Sequence, residues 1–240
     1  MSEKNSPVAA ILVIGNEILS GRTQDINSSY LAKKLLTLGI SVREIRIVPD
    51  DKNEIINALN FLREKYTYVF TSGGIGPTHD DITADCVAEA FEVPLPINEQ
   101  AKKIIASHYP RGENDLNGAR LRMARIPVGA ALIENSVSKA PGFYIDNVFV
   151  LAGVPKIFQT MVNFVLPKLK SSSPIISKTI TINKPEGEVA EVLADIASKF
   201  PEVSIGSYPF EKKGSLGVNI VITDKDLHKI DRISYLLSEL

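Results

Sequence analysis

Three glycines in four residues, Gly73-Gly74-Ile75-Gly76, follow the apolar run Tyr68-Val69-Phe70 and precede an amphipathic segment from Asp81 to Phe91. The order predicts a strand, a glycine loop and a helix start. Glycine lets a backbone approach a ligand closely and adopt positive φ. Backbone N–H groups at a helix N-terminus attract anions, usually phosphate. The adjacent Asp80-Asp81 pair opposes direct phosphate contact unless a cation intervenes. The loop is therefore expected to bring a phosphorylated ligand and a metal together, with Ser72, Gly73, Gly74, Gly76 and Thr78 as ligand contacts. A plainer reading stands beside this one. Thr78-x-x-Asp81 before an apolar run is also a capping-box pattern with Asp in place of Glu, in which Asp81 only satisfies helix N–H groups. The spacing matches neither Walker A nor G-x-G-x-x-G.

The flanking patterns extend one architecture. Val8 to Ile14 is continuously apolar, as a strand buried on both faces would be. A helix is expected from Asn27, with Leu31, Leu35 and Leu38 on one face and Gly39 as its stop. Ser41 to Val48 reads as a strand, and Ile55, Ile56, Leu59 and Leu62 mark the next helix. This alternation predicts an α/β fold, a mostly parallel sheet flanked by helices. Beyond Pro94 come short helices over Glu99 to His108 and Leu116 to Ala124, then a hairpin turning at Asp146-Asn147, then a helix opened by Pro155. The linker Ser171-Ser172-Ser173-Pro174 separates a large domain, residues 1–170, from a small α+β domain, residues 175–240. The small domain reads β-α-β-β-α, with Gly206-Ser207-Tyr208-Pro209 as a strand-end turn. At about 65 residues it is near the lower limit for independent stability. It is expected to pack on the large domain or a neighbouring subunit, and the chain to form a homo-oligomer.

Composition excludes several classes. The net charge of -1 gives no basic field for nucleic acid. The single cysteine, Cys86, rules out an intrachain disulfide and fits a reducing cytoplasm, with a buried apolar role favoured over a nucleophilic one. His79, His108 and His228 lack zinc-ligand spacing. No apolar run reaches the ~20 residues of a membrane span. Met1 to Pro7 reads as a short disordered lead without signal-peptide character.

Ligands of open α/β sheets bind beyond the carboxyl ends of the strands. Those ends here are Gly15-Asn16-Glu17, Pro49-Asp50-Asp51 and the glycine loop. Glu17, Asp50 and Asp81 then converge as hard oxygen ligands for Mg²⁺, Mn²⁺ or Co²⁺ clamping a pyrophosphate. Asp81 and Asp50 hold the cation in this reading, Asp80 is a candidate general base, and Asn16 and Lys139 are further ligand contacts. The plainer reading makes Asp50 and Asp51 helix caps and Lys139 a solvated lysine. Arg120, Arg122 and Arg125, at helical spacing, read as a surface face.

The motifs Gly15-Asn16-Glu17-Ile18-Leu19-Ser20-Gly21, Val48-Pro49-Asp50, Gly73 to Thr83, Ala140-Pro141-Gly142-Phe143 and Gly153-Val154-Pro155 carry a family resemblance. The chain resembles the molybdopterin-binding fold of the MogA/MoaB-type enzymes, CinA-like proteins and the N-terminal domain of eukaryotic FAD synthase. His79-Asp80-Asp81 and Gly206 to Pro209 place it nearest the CinA-like and FAD-synthase branch. The small domain resembles the KH-like module of CinA-like proteins, but it lacks a clear G-x-x-G loop, so RNA binding is not expected. The resemblance implies a nucleotide or pterin pyrophosphate ligand. In the CinA-like and FAD-synthase branch it implies metal-assisted hydrolysis of ADP-ribose or FAD. Among the MogA-type relatives it implies adenylylation of molybdopterin. The family's aspartates carry over onto Asp50 and Asp81, and onto Glu17 more loosely. A non-catalytic binding module is the third class. The chain ends at Leu240, so amidohydrolase and FAD-synthase domains, with their activities, are expected to be absent.

Overall fold

The computed structural model describes residues 6–212, 214–238 and 240. Residues 1–5 of the expected N-terminal lead lie outside the described residues. The chain divides into two compact units. The first runs through Leu35 and from Ile40 to Ser172, and the second takes Leu36–Gly39 and Ser173–Leu240.

The first unit is built on a six-stranded sheet. Its strands are β1 Val8–Ile14, β2 Ser41–Val48, β3 Tyr68–Ser72, β4 Ala131–Ile133, β5 Gly142–Ile145 and β6 Val148–Leu151, in the order β2-β1-β3-β6-β5-β4. The pairs β1–β2, β1–β3 and β3–β6 are parallel, and β5 and β4 add an antiparallel edge. Ala9, Ala10, Ile11 and Leu12 are fully buried, which is why β1 is apolar on both faces. The hairpin β5–β6 turns where expected, with Asp146 at φ 52.

Seven helices accompany this sheet: α1 Asn16–Leu19, α2 Asn27–Leu36, α3 Lys52–Lys65, α4 Thr83–Ala90, α5 Glu99–Ala106, α6 Gly118–Arg122 and α7 Pro155–Val165. Asp51 caps α3, its Oδ1 accepting the N–H groups of Asn53 and Glu54. Pro155 opens α7, whose residues Phe158, Met161, Val162 and Val165 are buried. Arg63 closes the far end of α4, donating to the Ala90 carbonyl while lying over the Phe91 ring. Cys86 is fully buried in α4, and desolvation first, then the nearby Asp85 and Glu89 charges, push its thiol up to about 12.

The second unit has an antiparallel sheet of β7 Ile176–Ile182, β8 Ser204–Lys212 and β9 Ser215–Asp224, ordered β7-β9-β8. Helices α8 Glu186–Lys199 and α9 Leu227–Ser238 bury Val189, Ile196, Ile230 and Ile233 against Val218, Ile220 and Ile222. One expectation is corrected here. Gly206 to Pro209 is no turn but the middle of β8, where Tyr208 pairs with Asn219 and Pro209 with Val218. Proline is tolerated because β8 is an edge strand. The Tyr208 ring lies over Gly206, close enough that a Cβ there would have to displace it by a few tenths of an ångström.

Gly73 links the sheet to the loop that follows β3. Its φ is 111, and an added Cβ would stand 2.2 Å from the Ile14 carbonyl oxygen. Gly73→Ala is expected to lower stability by roughly 2–4 kcal/mol, a backbone clash added to an unfavourable φ. Gly112→Ala also sits at positive φ, but in open space, and should cost about 1 kcal/mol. Urea denaturation of the two variants checks this, and equal losses would contradict it. The buried thiol of Cys86 should react with a thiol reagent at pH 8 only as the protein unfolds, so rapid labelling of the native protein would contradict its burial.

Candidate functional site

The parallel pairings put the carboxyl ends of β1, β2, β3 and β6 on one edge, and a cavity of about 560 Å³ opens there. That is the size of a small-molecule site. Glu17, Asp50, Asp80 and Asp81 stand on its wall. So do Ile75, Met123, Ala140, Ala152, Ile157 and Met161, which give it an apolar part. Among the described residues, no lysine, arginine or histidine lines it.

The glycine loop forms part of the wall through Gly73, Gly74 and Gly76. Gly74 has φ 68, and a Cβ on it would meet Thr83 Oγ1 at 2.1 Å. Thr83 ties the loop down from both directions, its hydroxyl donating to the Gly73 carbonyl and its N–H to the Gly74 carbonyl. At Gly76 the limit is Asp81, since a Cβ would meet Asp81 Oδ2 at 2.6 Å. Protein neighbours alone therefore demand these glycines. The N–H groups of Gly74, Ile75 and Gly76 donate to no other described residue, so they remain open to an anion.

Asp81 does not cap α4. The helix begins at Thr83 behind Ile82, without a side-chain cap, two residues later than the amphipathic segment expected from Asp81. The Asp81 Oδ2 instead reaches back to accept both the N–H of Thr78, at 2.8 Å, and its hydroxyl, at 2.6 Å. It closes the turn ahead of the helix, where the Asp81 N–H donates to the Thr78 carbonyl. Asp80 Oδ1 lies 2.5 Å from the same hydroxyl, so the hydroxyl's single proton is shared between the two carboxylates. The Thr78 hydrogen bond, with help from backbone N–H and from the charges of His79 and Arg122, holds the Asp80 carboxyl below the usual carboxylate range. Asp50 Oδ2 accepts the N–H of Asn16, while its neighbour Asp51 is the residue that caps α3.

The structure thus brings Glu17, Asp50, Asp80, Asp81, Gly73, Gly74 and Gly76 to one cavity. Asn16, Ser72, Thr78 and Lys139 do not line it. Asn16 acts through its N–H on Asp50, and Thr78 through Asp80 and Asp81. Ser72 is buried and accepts from Asn27 Nδ2. Lys139 sits at φ 64 with its N–H bonded to the Asn135 carbonyl, a turn residue. Among the described residues, no group of three His, Cys, Asp or Glu side chains stands ready to hold a metal ion.

Two asparagines organise the wall without having been singled out for it. Asn135 is buried and lines the cavity. Its Oδ1 accepts the N–H groups of Val137 and Ser138, and its Nδ2 donates to Ser138 Oγ and the Ala140 carbonyl. Asn27 donates to Ser72 Oγ and the Gly153 carbonyl, joining α2 to the ends of β3 and β6. The arginines of α6 and its exit also depart from expectation. Arg122 donates to the Asp81 carbonyl and Arg125 forms a bidentate pair with Asp85, so neither belongs to a free surface face.

Comparisons with known proteins agree with this architecture. The family model described as probable molybdopterin binding domain matches residues 10–171, and that of the FAD synthase middle domain matches residues 174–240. The module likened to a KH domain is thus similar to that middle domain. A Pyrococcus furiosus protein is 35% identical over 234 residues, covering 92% of each chain. A Pyrobaculum aerophilum protein is 36% identical over 211 residues, covering 84% of this chain and 79% of its own length. Among solved structures, CinA from Thermoplasma acidophilum, described as of unknown function, superposes with a TM-score of 0.64 at 36% identity, over 69% of this chain and 99% of that one. The chain belongs to the family of probable molybdopterin binding domains, here joined to a domain of the FAD synthase middle type.

Proposed function

We propose that the first unit binds the pyrophosphate of a nucleotide as its complex with a divalent cation, Mg²⁺, Mn²⁺ or Co²⁺, and hydrolyses it, with ADP-ribose or FAD as the substrate class. The observation behind this reading is the pairing of free loop N–H groups with four carboxylates in a cavity wall that has no basic side chain. A bare pyrophosphate entering there would meet like charge from several carboxylates. With a cation the sign reverses. Magnesium is commonly held by one or two carboxylates together with substrate phosphate oxygens.

The roles follow from position. Gly74, Ile75 and Gly76 present N–H groups to a phosphate oxygen, in the manner of a backbone nest. Asp81 and Asp50 are the residues that would hold the cation, with Glu17 beside them. Such an ion would neutralise oxygen charge and ready a water for attack. Asp80, whose carboxyl is held below the usual carboxylate range first by the Thr78 hydroxyl, stands on the same wall as the candidate general base. The apolar wall formed by Ile75, Met123, Ala140 and Met161 suits a flat ring.

That same wall suits a pterin, and the matching family is described by molybdopterin binding. The second reading is therefore molybdopterin binding or adenylylation, in which ATP is consumed and no dinucleotide is cleaved.

Incubation of the pure protein with a nucleotide panel and each cation, with products identified by mass, separates the readings. Mononucleotide products from ADP-ribose or FAD support hydrolysis. An ATP-dependent adenylyl product with molybdopterin supports the second reading. Asp81→Asn keeps an oxygen for the Thr78 bonds but loses the charge. It is expected to cut turnover about a hundredfold or more while changing stability by about 1 kcal/mol or less. Full activity in this variant across the cation panel would remove Asp81 from the reaction.

A further inference from the structure

Arg122 reaches the site without touching the cavity. It stands in the last turn of α6, and its Nε and Nη2 both donate to the backbone carbonyl of Asp81, at 3.2 and 3.0 Å. Its Nη2 also lies 3.5 Å from Asp85 Oδ2, in the first turn of α4. Arg125 holds the same carboxylate with two bonds of 2.7 Å. Asp85 is thus shared between two arginines, and both arginine side chains are only about a quarter exposed. The target atom is informative. A guanidinium on the Asp81 carboxylate would neutralise it. On the carbonyl it fixes the peptide and leaves the carboxylate charge to the cavity.

We propose that Arg122 is a positioning residue for Asp81. Its guanidinium clamps the turn from Thr78 to Ile82, with Asp85 and Arg125 as the brace that keeps Arg122 in place. The turn closes on itself through Asp81 N–H to the Thr78 carbonyl, Ile82 N–H to the Asp80 carbonyl, and the Thr78 N–H and hydroxyl to the Asp81 carboxylate. None of them anchors the turn to the rest of the fold. The Arg122 bonds tie it to α6. Without them the turn can open locally, and the carboxylate and the Gly76 N–H lose their common geometry, since Gly76 is in van der Waals range of that carboxylate. Lysine preserves charge at this position but not the two-pronged donor.

This inference rests on the cation–pyrophosphate reading for its functional consequence, but its structural part stands apart, so two measurements are paired. The first is amide hydrogen exchange on the ligand-free protein for wild type, Arg122→Lys and Arg122→Gln. In Arg122→Gln, exchange at Thr78 and Ile82 is expected to accelerate about tenfold or more while the amides of β1 keep their protection, with Arg122→Lys between the two. The second is calorimetric binding of a non-hydrolysable methylene-bridged analogue of ADP-ribose in the presence of Mn²⁺, where Arg122→Gln should weaken affinity about tenfold, with Asp81→Asn as the comparison. Unchanged exchange in the turn would overturn the proposal. So would loss of protection in β1 together with the turn, which would make Arg122 a global structural residue. If wild type itself fails to bind, the functional reading falls while the exchange data still decide whether Arg122 holds the turn.

Discussion

The parallel pairing of β1 with both β2 and β3 is the constraint on which the rest depends. It sends three strand ends to one edge, and β6, parallel to β3, adds a fourth. Each end must then turn away in very little space. Gly73 passes so close to the Ile14 carbonyl that no side chain fits, and Asn27 bonds across to Ser72 and Gly153. The cavity is what remains between these crowded exits. Its polar groups are held by the strands' own geometry, which is the economy of a site built at the end of a parallel sheet.

Electrostatics then limits what the cavity can accept. Four carboxylates without a basic partner on the wall form an unusual surround for an anion, and the open N–H groups of the loop are too few to offset them alone. A cation arriving with its phosphate resolves the conflict. The positive side chains that are nearby act elsewhere. Arg122 and Arg125 are committed to Asp81's carbonyl and to Asp85, and so brace the loop from outside the cavity, with the Arg122 charge adding to the effects that lower the Asp80 carboxyl.

Much of this was legible in the sequence, for a physical reason. Val8 to Ile14 and Tyr68 to Phe70 are apolar because both faces of their strands are buried, and that signal needs no partner to be read. Glu17, Asp50 and Asp81 could be assigned to one edge once the sheet was taken as parallel. The failures are equally specific. Capping patterns do not distinguish a helix start from a turn that precedes it, so α4 began at Thr83 and not at Asp81. Tyr208 and Pro209 look like turn residues but lie within an edge strand, where their environment comes from β9. Arg122 acts through a contact 41 residues away in sequence, which no local pattern announces, whereas Asn135 bonds only to its near neighbours Val137, Ser138 and Ala140, a turn pattern like many that line no cavity.

The central claim is that this cavity accepts a pyrophosphate only together with a divalent cation. Calorimetric titration of a non-hydrolysable methylene-bridged analogue of ADP-ribose into the protein, with Mn²⁺ present and then with all divalent cations chelated, tests it most directly. The account predicts measurable binding with the cation and at least about a tenfold loss without it, as like-charge repulsion in the wall requires. Equal affinity under the two conditions would contradict it.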